Sequence, residues 1–467
     1  MVAPWDRRTA AEQSRLEAAT LARWLPAVVT AAPFHAARTG AIDDRLLTDR
    51  RGLQRLVPAR ERDLLADGAA GATAVLRPTE EQVKASADDR VITGIARAIR
   101  RDAEHGKRDA IVHEYRPLQL HRGGVDGELL IASTRSDLDR SHRTGARAAS
   151  VLGLGEDDVI VSAVAAGPTL AHLGTVHLAT GAGLTALHAR GAGADLAAVA
   201  KATTDLAATV LVVATEEAVE LADTLRRARA KLRDLRTVVA YGPPLTAEER
   251  GAILEAFTGA GASSDLRVRA LWAPDVGRAP WAECAEGGGG LHTYPDLEVL
   301  EVLDPLTGRV TDGDGDLTVT SLGWHGTAHV RFQTGTWVDP LATDPCPGCS
   351  RTVPRITGDV APHAWELTVD LDGGERGTID LRGIAAVVAG LDGIEAWRAE
   401  LRGPDERVPR DRLLIELAGG ADPGEAAGLE RRFEAATGLV PELTVGVHPD
   451  EVARSIDEVG GVLADRR

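Results

Sequence analysis

Three cysteines and one histidine carry the clearest chemical signal in this chain. Cys284, Cys346 and Cys349 are all of its cysteines, and with His292 they form a C-x7-H pattern followed by C-x2-C. Thiolate sulfur and imidazole nitrogen are the donors zinc prefers, and four of them close a tetrahedral shell. With no coordination position left open, the expected ion is structural. Glycines at 287–290 and 348 supply the tight turns that such a site requires. The competing reading is three separate buried thiols and a surface histidine, and the pair Cys346-Pro-Gly-Cys349 also fits redox chemistry. An odd, small cysteine count gives no disulfide framework.

These ligands fall in a β-rich stretch. Leu297-Glu-Val-Leu-Glu-Val302, a turn at Asp304-Pro-Leu-Thr-Gly308 and Asp316-Leu-Thr-Val-Thr320 read as antiparallel strands. Upstream, from Leu129, short β-branched runs such as Asp158-Val-Ile-Val-Ser162, Thr209-Val-Leu-Val-Val213 and Thr237-Val-Val-Ala240 alternate with Ala-rich helical segments, the pattern of parallel βαβ units. Thr246 is the expected N-cap of a helix reaching Gly259. Before that, residues 6–57 read as amphipathic helices, with Leu16, Ala19, Leu21, Leu25 and Val28 near helical spacing. After Gly358, a strand at Arg412-Leu-Leu-Ile-Glu416 and a helix from Pro423 to Thr437 mark a compact tail.

A chain of 467 residues exceeds what one core organises. The expected fold class is α/β, a large N-terminal domain over residues 1–357 (parallel sheets plus a β subdomain) and a small α+β C-terminal domain over 358–467. With 53 basic against 70 acidic residues, the net charge of −17 repels phosphate backbones and anionic membranes, so neither nucleic acid nor membrane is an expected partner. MVAPWDRRTA lacks an apolar signal core and no apolar run nears the roughly 18 residues of a spanning helix. The expected location is cytoplasmic.

Leu129-Leu-Ile-Ala-Ser-Thr-Arg-Ser-Asp-Leu-Asp139, Gly290-Leu-His-Thr-Tyr-Pro-Asp296, Glu301-Val-Leu-Asp-Pro-Leu-Thr-Gly308, Arg331-Phe-Gln-Thr-Gly335 and Arg454-Ser455 occur in one order. In this series the chain resembles the phenylacetate-CoA ligase branch of the adenylate-forming (acyl-CoA synthetase) superfamily over most of its length. The resemblance implies a large N-terminal domain, a mobile C-terminal domain (358–467 here) and two half-reactions, carboxylate plus ATP to an acyl-adenylate and then transfer to coenzyme A. Some members of that branch carry zinc at cysteines and a histidine in corresponding positions, with the second pair often spelled C-x-C.

The same resemblance exposes what this chain lacks. The family's Ser/Thr/Gly-rich phosphate loop ending in Lys-Pro corresponds to His121-Arg-Gly-Gly-Val-Asp-Gly-Glu128. Gly123, Gly124, Gly127 and the charge of Arg122 survive, but the hydroxyls and the lysine are gone, and Asp126 and Glu128 place negative charge where phosphates would sit. Tyr241-Gly-Pro-Pro244 stands at the adenine-side motif, and in Leu271-Trp-Ala-Pro-Asp275 only Asp275 retains a magnesium-side role. The ribose-gripping aspartate is replaced by Thr336 in Phe332-Gln-Thr-Gly-Thr336, and a threonine lacks the carboxylate's acceptor pair. The hinge motif falls near Gly358-Asp-Val-Ala-Pro-His-Ala-Trp365 without its arginine. Glu458 stands where the adenylation lysine belongs, and no lysine at all follows Lys231.

The stretch from Thr169 to Leu178 corresponds to the family's acyl-pocket helix. His172 and His177 are therefore candidates for chemistry beside a carboxylate or thioester, against the ordinary reading of core histidines. Trp272, Trp281, Trp324 and Trp337 fall around the expected cleft, as pocket lining or as core. No nucleophile elbow and no H-E-x-x-H motif is present. The expected ligand is a small aryl or acyl group or its thioester. ATP–magnesium is disfavoured, coenzyme A stays open, and a carrier protein is a further candidate partner. Three functions compete: a ligase-like protein that no longer adenylates, an active AMP-forming ligase with diverged motifs, and a non-catalytic partner of a ligase or carrier protein.

Overall fold

The computed structural model describes residues 5–39, 46–65, 72–86, 96, 100, 106–124, 127–191, 196–304, 308–358, 360–362, 366–370, 376–380, 383–384, 387–388, 390–391, 393–404, 408, 410–419, 426–452, 454 and 463–466. By its internal contacts the chain divides into two compact units, with the change from one to the other between Pro362 and His363.

The larger unit is built on an eight-stranded sheet. Its order runs Arg355–Ile356, Leu291–His292, Trp281–Glu283, Arg267–Trp272, Thr237–Tyr241, Val210–Ala214, Val159–Ser162 and Thr185–His188. The last five strands are mutually parallel, and the first three add on antiparallel. The parallel strands are apolar almost throughout because both faces are covered. Val161, Leu211, Val213, Val238, Ala240 and Val268 meet the helices Leu196–Asp205, Ala218–Arg227 and Ala247–Gly259 on one side. Ile160, Val210, Val212, Val239 and Leu271 meet Arg135–Leu152 and Leu170–Ala182 on the other. That second pair of helices packs backbone to backbone. A Cβ on Gly145 would lie 1.9 Å from the His177 carbonyl oxygen, and one on Gly181 2.1 Å from that of His142.

Thr246 caps its helix through a capping box. Glu249 N donates to Thr246 Oγ1 at 3.1 Å and Thr246 N donates back to the Glu249 carboxylate at 2.9 Å. Thr246→Ala is expected to cost about 1 kcal/mol, read as a lower urea midpoint at unchanged slope; an unchanged midpoint would remove the cap from the account.

Two further sheets complete this unit. Glu298–Leu303, Gly315–Ser321, Phe332–Val338 and Val360–Pro362 form an antiparallel sheet, as the strand readings at 297–302 and 316–320 anticipated. Gln119–Gly123 and Leu129–Ser133 form a hairpin. The N-terminal helix Ala10–Ala31 buries Leu21, Trp24, Leu25, Val28 and Val29; its apolar stripe starts at Leu21, later than the spacing from Leu16 suggested. Among the described residues no helix is long and apolar enough to cross a membrane.

The smaller unit holds a four-stranded sheet in the order Glu442–Val447, Arg412–Gly419, Ile394–Arg402, Leu463–Arg466, a two-stranded ribbon (Glu366–Asp370 with Arg376–Asp380) and the helix Ala426–Thr437. Leu413, Ile415, Leu417, Leu429 and Phe433 are buried in its core.

Candidate functional site

Where the eight-stranded sheet turns antiparallel, its end carries the cysteine set. Cys284 follows the strand Trp281–Glu283, and His292 lies on the next strand, where it pairs with Arg355. Cys346 and Cys349 sit in a knuckle closed by the Ser350 N–H donating to the Cys346 carbonyl at 2.8 Å and the Cys346 N–H to Arg351 O at 2.8 Å. The four ligand atoms lie within 4.8 Å of one another, with Cys284 Sγ 3.9 Å from Cys346 Sγ and Cys349 Sγ 3.2 Å from His292 Nε2. Those separations suit donors at about 2.0–2.3 Å from a common centre.

The surroundings fit an ion as well. His292 Nδ1 lies 3.2 Å from the Ala282 carbonyl, which assigns the proton to Nδ1 and aims the Nε2 lone pair into the cluster. Gly289 packs bare against the sulfurs: a Cβ there would stand 2.4 Å from Cys346 Sγ and 3.4 Å from Cys284 Sγ. Burial, together with the neighbouring Cys349 and Cys346, pushes the Cys284 thiol up to about 12. Burial also opposes ionisation of Cys346, but hydrogen bonds from the Cys349 and Gly348 amides and from the Cys349 and Cys284 side chains together hold that thiol below its ordinary value. The N-terminal segment hangs on the same knuckle. Arg351 pairs with Asp6 at 2.7 Å, Thr352 Oγ1 donates to Arg8 O at 2.6 Å, and Arg7 donates to Ser350 O at 3.0 Å.

The phosphate-loop counterpart is the tip of the hairpin Gln119–Gly123/Leu129–Ser133. Gly123 and Gly124 face oxygen atoms, while Gly127 faces open space. Gly124 N donates to Asp275 O at 3.3 Å, and a Cβ on Gly123 would meet the same oxygen at 2.6 Å. The Glu61 carboxylate rests against Gly124, within 1.9 Å of where a Cβ would be. Arg122 Nη1 is turned back on Gly127 O at 3.1 Å. Glu61 belongs to the short helix Glu61–Leu65, which packs on both Leu129–Ser133 and Phe332–Val338, the strand of Thr336. Arg60 fixes this segment by donating to Gln333 Oε1 at 3.1 Å. Thr336 itself is buried, paired with Pro362 across the sheet. Asp275 is exposed just past the end of Arg267–Trp272, and desolvation by its neighbours raises its carboxyl above the ordinary value. Asp126, His363, Ala364, Trp365, Ser455 and Glu458 lie outside the described residues.

The structure brings His121 within electrostatic range of both His172 and His177, an association that the spacing along the chain did not reveal. His172 and His177 do not act as one pair. The first meets His188 edge-on with ring centroids 5.2 Å apart, and the second meets His142 at 5.8 Å. Burial lowers the pKa of His121, His172 and His188, and that of His177 to about 4, so these four rings are neutral at pH 7. Nδ1 of His121, His172 and His188 and both nitrogens of His177 are buried without a hydrogen-bond partner. Nearby cations are engaged: Arg190 with Glu217, and Arg278 with Thr327 O at 2.5 Å and Asp137 at 3.7 Å. Trp272, Trp281 and Trp324 are core residues with under a tenth of their surface exposed, whereas Trp337 donates from the surface to Asp314 at 3.0 Å.

No protein-family model matches the chain, and no curated protein matches it in sequence. In structure it is similar to 2-hydroxyisobutyryl-CoA ligase. Against the open conformation of that enzyme in complex with 2-HIB-AMP and CoA the TM-score is 0.60 at 17% identity, covering 97% of this chain and 94% of that one. Against its thioesterification state the TM-score is 0.60 at 16% identity, covering 100% and 94%. Against its postadenylation state with 2-HIB-AMP it is again 0.60 at 16%, covering 98% and 96%. A likeness at this identity speaks to the fold and leaves activity open. The chain has the fold of an adenylate-forming acyl-CoA ligase, with a large α/β unit and a small α+β unit.

Proposed function

We propose that this protein is a degenerate member of the phenylacetate-CoA ligase-like branch that does not adenylate. It binds or transforms a small aryl or acyl carboxylate, or its thioester, without ATP. The observation that carries the reading is the hairpin tip. A phosphate cradle must present amide hydrogens and cations, and here the glycine face meets the Asp275 carbonyl and the Glu61 carboxylate while Arg122 is committed to Gly127. The neutral histidines offer no charge in compensation, and a chain without lysine after position 231 has no C-terminal lysine for the adenylation step.

The same histidines suit a different ligand. Unpaired, neutral ring nitrogens accept or donate hydrogen bonds to a carbonyl, a thioester or a protonated acid, and His172 and His177 are the residues assigned to that contact. Residues 358–467 are assigned as the separate C-terminal domain, and coenzyme A is retained as a candidate ligand. Zinc at Cys284, His292, Cys346 and Cys349 is structural in this reading, because a closed four-ligand shell binds no substrate.

Calorimetric titration with ATP–magnesium tests the central point. No saturable heat and no thermal shift are expected at millimolar nucleotide, with no pyrophosphate released from any of a panel of aryl and acyl acids. Saturable ATP binding together with acid-dependent pyrophosphate release would make the protein a working AMP-forming ligase and end this proposal.

A further inference from the structure

The knuckle of Cys346 and Cys349 belongs to a loop whose ends, Ala342 and Arg355, are joined by two backbone hydrogen bonds of 2.9 Å. Residues 5–8 run against that loop. Thr352 N donates to Asp6 O at 2.9 Å and Thr352 Oγ1 to Arg8 O at 2.6 Å. Arg7 Nη1 donates to Ser350 O at 3.0 Å, and Arg351 Nε to the Asp6 carboxylate at 2.7 Å. Trp5 extends the contact. Its ring centroid lies 5.3 Å from that of Tyr294, and the Arg147 guanidinium sits 4.6 Å from it. Asp6, Arg7 and Arg8 thus dock on residues 350–352, immediately after Cys349.

Arg351 joins this segment to the cysteine set. Burial opposes its charge, but hydrogen bonds with the Cys349 sulfur and the Asp6 carboxylate, together with the charges of both, hold its pKa above the ordinary value. Three thiolates around a divalent ion carry a net negative charge, so a guanidinium against one sulfur stabilises the loaded site. Groups that bond the ligands from outside also orient them and set metal affinity. Cys349 is the one ligand of the four that is only partly buried, so Arg351 and the segment stand beside the least covered ligand. In return, an ion ties Cys346 and Cys349 to Cys284 and His292 on the sheet end. It thereby fixes residues 350–352, the surface on which the segment docks.

We propose that residues 5–8 are a strap beside the metal centre, and that strap docking and zinc affinity support each other through Arg351, a positioning residue for Cys349. This coupling presupposes zinc at the four ligands and is independent of the fate of ATP. Coupling between two binding equilibria is reciprocal: whatever the ion adds to docking, the docked strap adds to affinity for the ion.

Two measurements on the full-length protein test it. Zinc affinity, read at equilibrium against a chromophoric chelator, is expected to fall about tenfold in both Arg351→Ala and Asp6→Asn. Arg351→Lys should recover part of the first loss because it keeps the charge. Glu17→Gln, which breaks the Arg50 pair of the N-terminal helix, should leave the affinity unchanged. Trypsin cleavage after Arg7 and Arg8, followed by mass spectrometry, should be about tenfold faster in chelated wild type and in zinc-saturated Arg351→Ala than in zinc-loaded wild type. Cleavage after Arg250, on the helix Ala247–Gly259, should stay slow throughout. Wild-type zinc affinity in both variants, or equal strap cleavage with and without the ion, overturns the coupling and leaves the metal centre standing. Cleavage after Arg250 that rises in step with the strap would trace exposure to general unfolding and overturn it as well. Protein that binds no zinc overturns the coupling and the metal assignment together.

Discussion

Cys346→Ser, or prolonged chelation of the wild-type protein, is expected to remove one equivalent of zinc and to lower the melting temperature by about 10 °C. The scale follows from what the four ligands join. Structural zinc contributes folding free energy outright, about 10–16 kcal/mol in isolated fingers. Here much of the fold persists without the ion, so a loss on the order of 5 kcal/mol is the reasonable fraction, and a few degrees follow for each kcal/mol in a domain of this class. Two ligands come from the sheet end and two from the knuckle at 346–349, and the knuckle in turn holds residues 6–8. Loss of the ion would leave Cys284 and Cys346, both nearly inaccessible, crowded within one cluster with only a weak sulfur–sulfur contact between them. Elemental analysis gives the stoichiometry, and thiol titration gives the protection. All three cysteines should resist modification in the holo protein and react after chelation. Protein purified without any chelator that contains less than about a tenth of an equivalent of metal, yet melts like its chelated form, would refute the site.

The convergence of these four side chains was legible because ligand chemistry depends on residue type more than on fold. Three cysteines and one histidine flanked by glycines have few alternative uses, and their spacing needs no tertiary information. The sheet was legible for a related reason: runs such as Val210–Val213, apolar on both faces, mark a covered parallel strand. The blocked hairpin tip was not. Glu61 lies more than sixty residues before Gly124, and its carboxylate reaches the glycine only because the short helix at 61–65 packs on two separate strands. The meeting of His121 with His172 and His177 has the same origin, a hairpin laid over the helix Leu170–Ala182 through the Arg122–Thr169 bridge. The tryptophans stayed open between pocket lining and core because an aromatic near a cleft motif looks the same in sequence in either place; Trp272, Trp281 and Trp324 are buried.

Glu298 exposes a further limit and gives the last prediction. In Leu297-Glu-Val-Leu-Glu-Val302 the two glutamates are three apart and fall on opposite faces of the strand, so each face carries one carboxyl among apolar residues, and every residue of Glu298–Leu303 is buried. The two glutamates then resolve their burial differently. Glu301 takes the Arg331 guanidinium at 3.0 Å. Glu298 instead uses one oxygen for both the Trp281 indole N–H at 2.5 Å and the Tyr294 amide at 3.0 Å. Burial raises its pKa from 4.5 to about 8. A carboxyl whose folded pKa lies above its unfolded value stabilises the fold fully below pH 4.5, and that contribution is lost as pH rises through 8. Glu298→Gln keeps a carbonyl oxygen for both donors and never ionises. The variant should therefore match wild type near pH 4.5 and exceed it by about 3 kcal/mol at pH 8. Urea unfolding of both proteins from pH 4.5 to 8.5 measures this; a difference that stays flat with pH would mean the carboxyl is ionised in the fold throughout. Glu301→Gln makes the opposite control, since removing one partner strands the buried Arg331 charge and should destabilise by about 3–5 kcal/mol at neutral pH. Two glutamates three residues apart on one strand would thus respond to the same substitution with opposite signs, because one has a guanidinium beside it and the other has only neutral donors.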